Sequence, residues 1–227
     1  MEAGTAASGP AWRAVVQRIA EERAREESRD LWGDASGAGP SFNYRWEHLR
    51  VVVELAQRLA ADVGADVEVV TAAAWLHDIA KEHGRGGEAD THGRAASVEA
   101  RSILAGTDFP AEKVDAVCTA IESHVGLTRE GPLPSREAEV LWDADKLSKL
   151  GATGLLHSLC AQPAFARLAG YTPDTPTLER QLLRWLGLAE KIVANMNTAP
   201  GRRMAAGRLR FLRSFVEQLQ QELRLHR

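Results

Sequence analysis

Cysteine is scarce in this sequence, and long apolar runs and strand-like alternation are missing. Cys118 and Cys160 lie apart inside apolar helical patterns, so they form neither a disulfide scaffold nor a cysteine-based metal site, and we expect both in the core. Charged residues interrupt every apolar stretch well before the roughly 18 residues that a membrane-spanning helix needs. Residues 1–10 lack the basic-then-apolar order of a signal peptide, so we predict a cytoplasmic protein with no membrane partner.

A large excess of either charge sign is also absent. The chain has 227 residues, of which 44% are hydrophobic and 26% are charged, and its formal net charge is -3. These values are typical of a globular domain that can bury a full core. They argue against a nucleic-acid polymer as the partner, because such proteins usually present a basic surface.

Apolar residues recur at helical spacing along almost the whole chain, which predicts a single all-α domain. Asp66 and Ser135 precede apolar runs and are predicted N-caps. Glycine and proline indicate loops over 31–43, 84–91 and 126–135. The predicted helices cover residues 11–30, 44–63, 66–79, 92–105, 110–124, 136–149, 152–168, 178–197 and 201–225.

Histidines on the apolar faces of predicted helices are the first sign of a functional site. His48 precedes Val52 by four residues and Leu59 by eleven, so it lies on the apolar stripe of its helix. His77 ends an apolar run and is followed directly by Asp78. Buried ionisable groups are costly unless something compensates them, and a bound metal ion commonly compensates this pair of residue types.

A third histidine and another carboxylate extend this pattern. His124 follows Ile121 by three residues and lies on the same apolar face. Asp145 follows Leu141 by four residues and shares its inward face, whereas Asp143 falls on a more solvated face. We therefore favour Asp145 over Asp143 as the buried carboxylate. Several imidazoles and carboxylates meeting in a core would be costly with nothing at their centre, which favours a metal site.

Two histidines near the glycine-rich loop have two interpretations each. His92 is either a further metal ligand or an exposed residue beside the loop. His83 either faces a substrate phosphate or is solvated. No periodic pattern supports a role for His157 or His226.

The residues in this order resemble the HD-domain superfamily of metal-dependent phosphohydrolases. His48, the His77-Asp78 doublet and Asp145 match its H…HD…D signature. Residues 143–152 resemble the DADRLDALGA element of a bacterial and archaeal branch that contains nucleotide pyrophosphohydrolase-like proteins. The segments 196–198 and 201–205 also resemble that branch. The sequence departs from it at Lys146 and Ser148, where the branch often has Arg and Asp.

The resemblance implies a ligand set of His48, His77, Asp78 and Asp145 for a divalent metal: manganese, iron, cobalt, nickel or zinc, with magnesium as a further candidate. His92 and His124 fit the pattern of two-metal members. The implied fold is an all-α bundle of the HD type. Its expected parts are a flexible tail (1–10), an N-terminal helix and loop (11–43), an HD metal-binding core (44–160) and C-terminal helices that pack on the core (161–227).

The implied activity is hydrolysis of a nucleotide by a metal-activated water, with release of pyrophosphate from nucleoside triphosphates. The alternatives are a phosphomonoesterase or phosphodiesterase acting on cyclic or dinucleotide substrates, and a non-catalytic nucleotide-binding protein. Stable binding of two metals would favour the phosphodiesterase or phosphomonoesterase. Loss of turnover with retained nucleotide binding would favour the third.

Four residues receive roles in that activity. Asp78 is expected to bind metal and orient the attacking water, and Lys81 to neutralise charge on the phosphoryl oxygens. Arg45 and Lys146 are expected to contact substrate phosphates, with a solvated surface position as the alternative for each cation. We expect the three loops to determine the substrate. An apolar stripe on the last helix, Phe211 to Leu219, could support a homodimer or pack within the monomer.

Overall fold

A computed structural model describes residues 11–32, 42–81 and 92–225 of the chain. Within these ranges the regular elements are all helical, which confirms the all-α class. The N-terminal tail, His83, His226 and the loop at 84–91 lie outside the described residues. The helices are α1 (Ala11–Trp32), α2 (Tyr44–Val63), α3 (Val67–Leu76), α4 (His92–Ala105), α5 (Val114–Glu122), α6 (Arg136–Ser148), α7 (Gly151–Leu168), α8 (Thr175–Ala194) and α9 (Ala199–Leu225), with a 3₁₀ turn at Ala111–Lys113 before α5.

Side-chain caps determine where several helices begin. The Asp66 carboxylate accepts from the backbone N–H groups of Glu68 and Val69, at 2.9 and 3.2 Å. The Ser135 hydroxyl accepts from Ala138 N at 3.1 Å. Each cap satisfies N–H groups that have no partner inside the helix. Both predicted N-caps are confirmed.

Helix α3 lies at the centre of the bundle, because every side chain from Val69 to Leu76 is buried. Helices α1, α2, α5 and α6 pack around it. Most residues of α3 are apolar, as expected for a helix that is covered on all sides. This arrangement brings His48 of α2, the end of α5 and the middle of α6 to the C-terminal end of α3.

Helix α3 ends at Leu76, whereas the sequence predicts a helix to residue 79. The next residues form tight turns in which Ile79 N donates to Leu76 O at 3.1 Å and Lys81 N donates to Asp78 O at 3.0 Å. The turn lets His77 and Asp78, although adjacent in sequence, both face the same cluster. In a continuous helix, neighbouring side chains point to different sides.

Two predictions about burial are wrong. Asp143 is fully buried, because the connection from α8 to α9 covers it and donates to it from the N–H groups of Asn197 and Thr198, both at 2.8 Å. Cys118 is buried as predicted, but Cys160 lies on an exposed side of α7. In the described part of the chain, none of the helices has the length and hydropathy to cross a bilayer.

Candidate metal centre and pocket

Four segments of the fold bring His48, His77, Asp78, His124 and Asp145 into one buried cluster. His48 Nε2 lies 3.3 Å from Asp145 Oδ1. His77 Nε2 lies 3.7 Å from Asp78 Oδ2, and His124 Nε2 lies 3.4 Å from Asp78 Oδ1. The five residues expected to approach one another therefore do so, at the C-terminal end of α3.

The backbone determines which ring nitrogen of each histidine faces the cluster. His77 Nδ1 lies 2.8 Å from Ala74 O, and His124 Nδ1 lies 2.5 Å from Ile121 O. A carbonyl oxygen can only accept, so each Nδ1 carries the proton and donates it. Each Nε2 therefore has a free lone pair directed into the cluster. This is the usual arrangement of a metal-binding histidine.

Ser148 orients the third histidine in the same way. Its hydroxyl donates to Asp145 O at 2.6 Å, so its oxygen is left to accept from His48 Nδ1 at 3.0 Å. The His48 lone pair is thus on Nε2, facing Asp145 Oδ1. One hydroxyl links a histidine of α2 to the backbone of α6 beside the carboxylate.

Three buried atoms of the cluster have no hydrogen-bond partner: His48 Nε2, His77 Nε2 and Asp78 Oδ1. Orphaned polar atoms in a core are costly and rare, so they indicate a group that binds them. Two overlapping trios have ligand atoms within 4.8 Å of one another, namely His48, His77 and Asp145, and His77, Asp78 and His124. A donor set of imidazole nitrogens and carboxylate oxygens fits a divalent transition metal.

His92, at the start of α4, lies beside the second trio. Its Nε2 is 3.8 Å from Asp78 Oδ1, and its ring centroid is 5.2 Å from that of His124. It is partly exposed to the pocket, in contrast to the other histidines of the cluster. This position is compatible with either of its two interpretations.

Cations keep both carboxylates of the cluster ionised. Burial alone would raise the pKa of Asp78, but contact with Arg45 and with Lys81, at 3.4 Å, holds it well below its usual range. Burial opposes ionisation of Asp145 too, and Lys146 at 2.6 Å together with Lys149 holds its pKa well below normal. Both groups are therefore anionic at neutral pH, the form in which a carboxylate can bind a metal.

The pKa values of two histidines in the cluster are also lowered, and for an imidazole this favours the neutral form. Burial lowers the pKa of His48 to about 4, and the charge of Lys149 adds to that effect. Burial also lowers the pKa of His77 well below its ordinary value. Both rings are neutral at neutral pH, which is the protonation state that metal binding requires.

Two of the cations expected at substrate phosphates are buried partners of the carboxylates. Arg45 lies between Asp78 and Glu27, with Nε 2.8 Å from the Glu27 carboxylate. Lys146 is 1% exposed, and its ammonium donates to His124 O and to Asp145 Oδ2, both at 2.6 Å. A solvated surface position is excluded for both. Their contact with substrate stays a prediction.

A pocket of about 980 Å³ opens beside the cluster. His48, Asp145, Lys81 and Lys149 line its polar floor, and apolar side chains line the wall. The wall is formed mainly by α7, α8 and α9 and includes Leu155, Leu159, Leu178, Leu182, Trp185, Phe215 and Leu219.

The expectation that loops determine the pocket can be compared with the structure only for the 126–135 loop, because most of 31–43 and all of 84–91 lie outside the described residues. Of the 126–135 loop, only Gly126 and Leu127 reach the pocket, and the wall is otherwise helical. Phe215 and Leu219 of the α9 stripe face this cavity, while Phe211 is 41% exposed. Much of that stripe is therefore used within the monomer.

Sequence reasoning assigned no role to Ser148, Lys149 or His157. Ser148 and Lys149 follow Asp145 by three and four residues, so helical spacing could have placed both beside that carboxylate. His157 is buried and lines the pocket from α7, and burial lowers its pKa. No pattern in the sequence indicates that position.

Comparison with solved structures gives the same architecture over more than nine tenths of the chain. A Lactobacillus plantarum protein has 23% identity and a TM-score of 0.64, covering 94% of this chain and 97% of its own. A protein described as a predicted HD superfamily hydrolase, from an uncultured Thermotogales bacterium, has 24% identity and a TM-score of 0.58, with coverage of 92% and 91%. Bacillus subtilis YpgQ, solved in complex with ADP, has 24% identity and a TM-score of 0.60, with coverage of 92% and 96%.

Among curated proteins, none matches this chain in sequence. The model of the HD domain family matches residues 45–150, the segment that contains His48, the His77-Asp78 doublet and Asp145. The sequence resemblance and the family model identify the same domain. The chain contains an HD domain over residues 45–150, and this domain identifies the protein as a metal-dependent hydrolase.

Proposed function

We propose that this hydrolase acts on nucleotides and releases pyrophosphate from nucleoside or deoxynucleoside triphosphates. The observation that carries the proposal is the set of three unpartnered ligand atoms, His48 Nε2, His77 Nε2 and Asp78 Oδ1, beside a pocket with a cationic floor. A metal site and adjacent cations are the two components that hydrolysis of a phosphoanhydride requires.

In this proposal His48, His77, Asp78 and Asp145 hold a divalent transition metal. When bound, the metal supplies Lewis-acid activation of water and of the phosphoryl group. Asp78 also orients the attacking water, because one of its oxygens contacts Arg45 while Oδ1 has no hydrogen-bond partner. Lys81 is 34% exposed and lines the pocket, so its ammonium can meet phosphoryl oxygens. Arg45 and Lys146 act chiefly by holding the two carboxylates ionised and in position.

The pocket supports a nucleotide over a small phosphate ester. Its polar floor suits phosphates, and the apolar wall around Trp185 offers a surface on which a flat base can stack. YpgQ, which has the same fold, was solved with ADP. Both observations favour a substrate that joins phosphates to a planar apolar group.

A second candidate is a phosphodiesterase or phosphomonoesterase acting on cyclic or dinucleotide substrates. The second trio, with His124 and the nearby His92, favours it because two neighbouring metals are common in enzymes of this type. Binding of two metal ions per chain would favour this second candidate over the pyrophosphohydrolase.

The test is a panel of nucleoside triphosphates, a monophosphate, a cyclic dinucleotide and p-nitrophenyl phosphate. Each is assayed with manganese, cobalt, nickel and magnesium, with pyrophosphate resolved from orthophosphate. We expect pyrophosphate as the first product from triphosphates, and loss of activity in Asp78→Asn, which keeps the side-chain shape. Orthophosphate as the only product, or preference for the cyclic dinucleotide, would replace the proposal with the second candidate. Nucleotide binding without turnover under every metal would reject an enzyme.

A further inference from the structure

The cations in and beside the cluster outnumber the carboxylates that they contact, and three of these cations, Lys81, Lys146 and Lys149, line the pocket. Four cations, Arg45, Lys81, Lys146 and Lys149, contact three carboxylates, those of Asp78, Asp145 and Glu27. A divalent metal would increase this excess. A site with such a charge balance favours a ligand that carries several negative charges close together.

The lysines differ in how free their ammonium groups are. Lys146 is enclosed: it is bonded to His124 O and Asp145 Oδ2 and lies 4.1 Å from the centre of the Trp142 ring. Lys81 and Lys149 both line the pocket, with 34% and 17% of their side chains exposed. Lys81 lies at Asp78, and Lys149 lies at Asp145. The floor therefore has two partly exposed lysines, one at each carboxylate, although the Lys149 ammonium also donates to Asp145 O at 3.1 Å and to Asp145 Oδ1.

Lys149 is held at this position by its backbone. A Cβ on Gly154 would lie 2.3 Å from the Lys149 carbonyl, so α7 can pack this closely on the end of α6 only because residue 154 is glycine. The ammonium reaches Asp145 Oδ1, the oxygen that also lies 3.3 Å from His48 Nε2. A metal held by these two ligand atoms would compete with the ammonium for that oxygen. The flexible four-carbon stem allows the ammonium to move into the pocket.

We propose that Lys149 is a substrate-binding residue that contacts a second phosphoryl group, next to the one that Lys81 contacts, and so selects substrates with two or more linked phosphates. This inference rests on the proposed function, because it assigns the phosphate-recognition residues of that same site. A monoester offers one phosphoryl group and gains little from Lys149. A triphosphate offers a group to each lysine.

Direct binding of inorganic phosphates to the manganese-loaded protein tests this inference without turnover. Calorimetric titrations with tripolyphosphate and with orthophosphate, at matched free manganese, compare the wild type with Lys149→Met and Lys81→Met. We expect Lys149→Met to weaken tripolyphosphate binding at least about tenfold and orthophosphate less than about threefold, as for loss of one charge-assisted hydrogen bond. Lys81→Met should weaken both ligands.

Two controls complete the experiment. Lys191→Met removes an exposed lysine of α8 outside the pocket and should change neither affinity. Lys149→Arg keeps the charge and should keep the preference for tripolyphosphate. Equal loss for both ligands in Lys149→Met, or no loss for either, would overturn the assignment. If Lys149→Met selectively weakens tripolyphosphate binding but the wild type does not hydrolyse nucleotides, the proposed function fails and the assignment of Lys149 stands.

Discussion

The floor and the wall of the pocket are built in different ways. The floor lies against a core in which α2, α3, α5 and α6 enclose ionised groups that are at most 5% exposed, namely Arg45, Asp78, Asp145 and Lys146. The wall consists largely of α7, α8 and α9, and Leu159 is more than half exposed there, at 51%. A substitution in the floor breaks a buried ion pair, whereas a substitution in the wall changes the shape of a partly exposed apolar surface.

This difference suggests separate roles: the floor binds the metal and the phosphates, and the wall recognises the rest of the substrate. Side chains of the floor have fixed partners, so ligand atoms are held in place before a metal or substrate arrives, which lowers the cost of binding. Side chains of the wall retain freedom and can accept different shapes. We therefore expect substitutions in the floor to affect metal binding and stability, and substitutions in the wall to affect which substrate is chosen.

Removal of the buried cation beside Asp78 gives the largest expected effect on stability. Arg45→Met leaves Asp78 buried without its main partner, and we expect the free energy of unfolding to fall by about 3–5 kcal/mol. Arg50→Met, on the same helix, removes an exposed partner of Glu47 and should cost less than about 0.5 kcal/mol. Urea denaturation measures both. Similar losses of unfolding free energy in the two variants would show that the buried Arg45–Asp78 pair stabilises the fold no more than the exposed Arg50–Glu47 pair.

Loss of the Ser148 hydroxyl should weaken metal binding without removing any proposed ligand. In Ser148→Ala, His48 Nδ1 has no acceptor, and we expect metal affinity to fall about 10- to 100-fold. Ser158, an exposed serine of the wall, provides the control, and Ser158→Ala should leave metal affinity unchanged. A competitive chelator titration gives the affinities. An unchanged affinity in Ser148→Ala would contradict the role of this hydroxyl.

Two glycine-to-alanine substitutions should have opposite signs. At Gly201 a Cβ would lie 2.3 Å from Asp143 Oδ2 and 2.7 Å from Thr198 Oγ1, so Gly201→Ala should destabilise the protein by about 1–3 kcal/mol. At Gly187 of α8 nothing lies within 4 Å, and alanine should stabilise the helix by about 0.5–1 kcal/mol. Thermal and urea denaturation report the signs. A neutral Gly201→Ala would show that the junction of α6 and α9 is loosely packed.

The metal-free protein should lose stability as the pH falls from about 6.5 to about 4. His48 has a pKa of about 4 in the fold and an ordinary value of 6.5, so in this window the unfolded chain binds a proton that the folded chain does not. The free energy of unfolding should fall by about 1.4 kcal/mol per pH unit for each histidine shifted in this way. Urea denaturation with a chelator at several pH values measures the slope. A flat profile across this window would contradict the burial of a neutral His48.

The floor was predictable from the sequence and the wall was not, for a physical reason. His48 and Asp145 lie on apolar stripes, so periodicity alone placed them inward, and the motif order then indicated the family. Asp143 was misplaced because the segment that covers it comes from residues 197–198, far along the chain, and periodicity reports only one helix at a time. The pocket wall depends on how α7 to α9 pack on one another, which spacing within a helix does not encode.

Anomalous diffraction at the manganese edge, from crystals of the wild type grown with manganese, shows whether the cluster binds a metal ion. We expect a peak at bonding distance from His48 Nε2, His77 Nε2 and Asp145, with Asp78 completing the ligand set. A second peak near His92 and His124 would identify a two-metal site. The absence of a peak at the cluster in manganese-saturated crystals would show that these residues do not form a metal site.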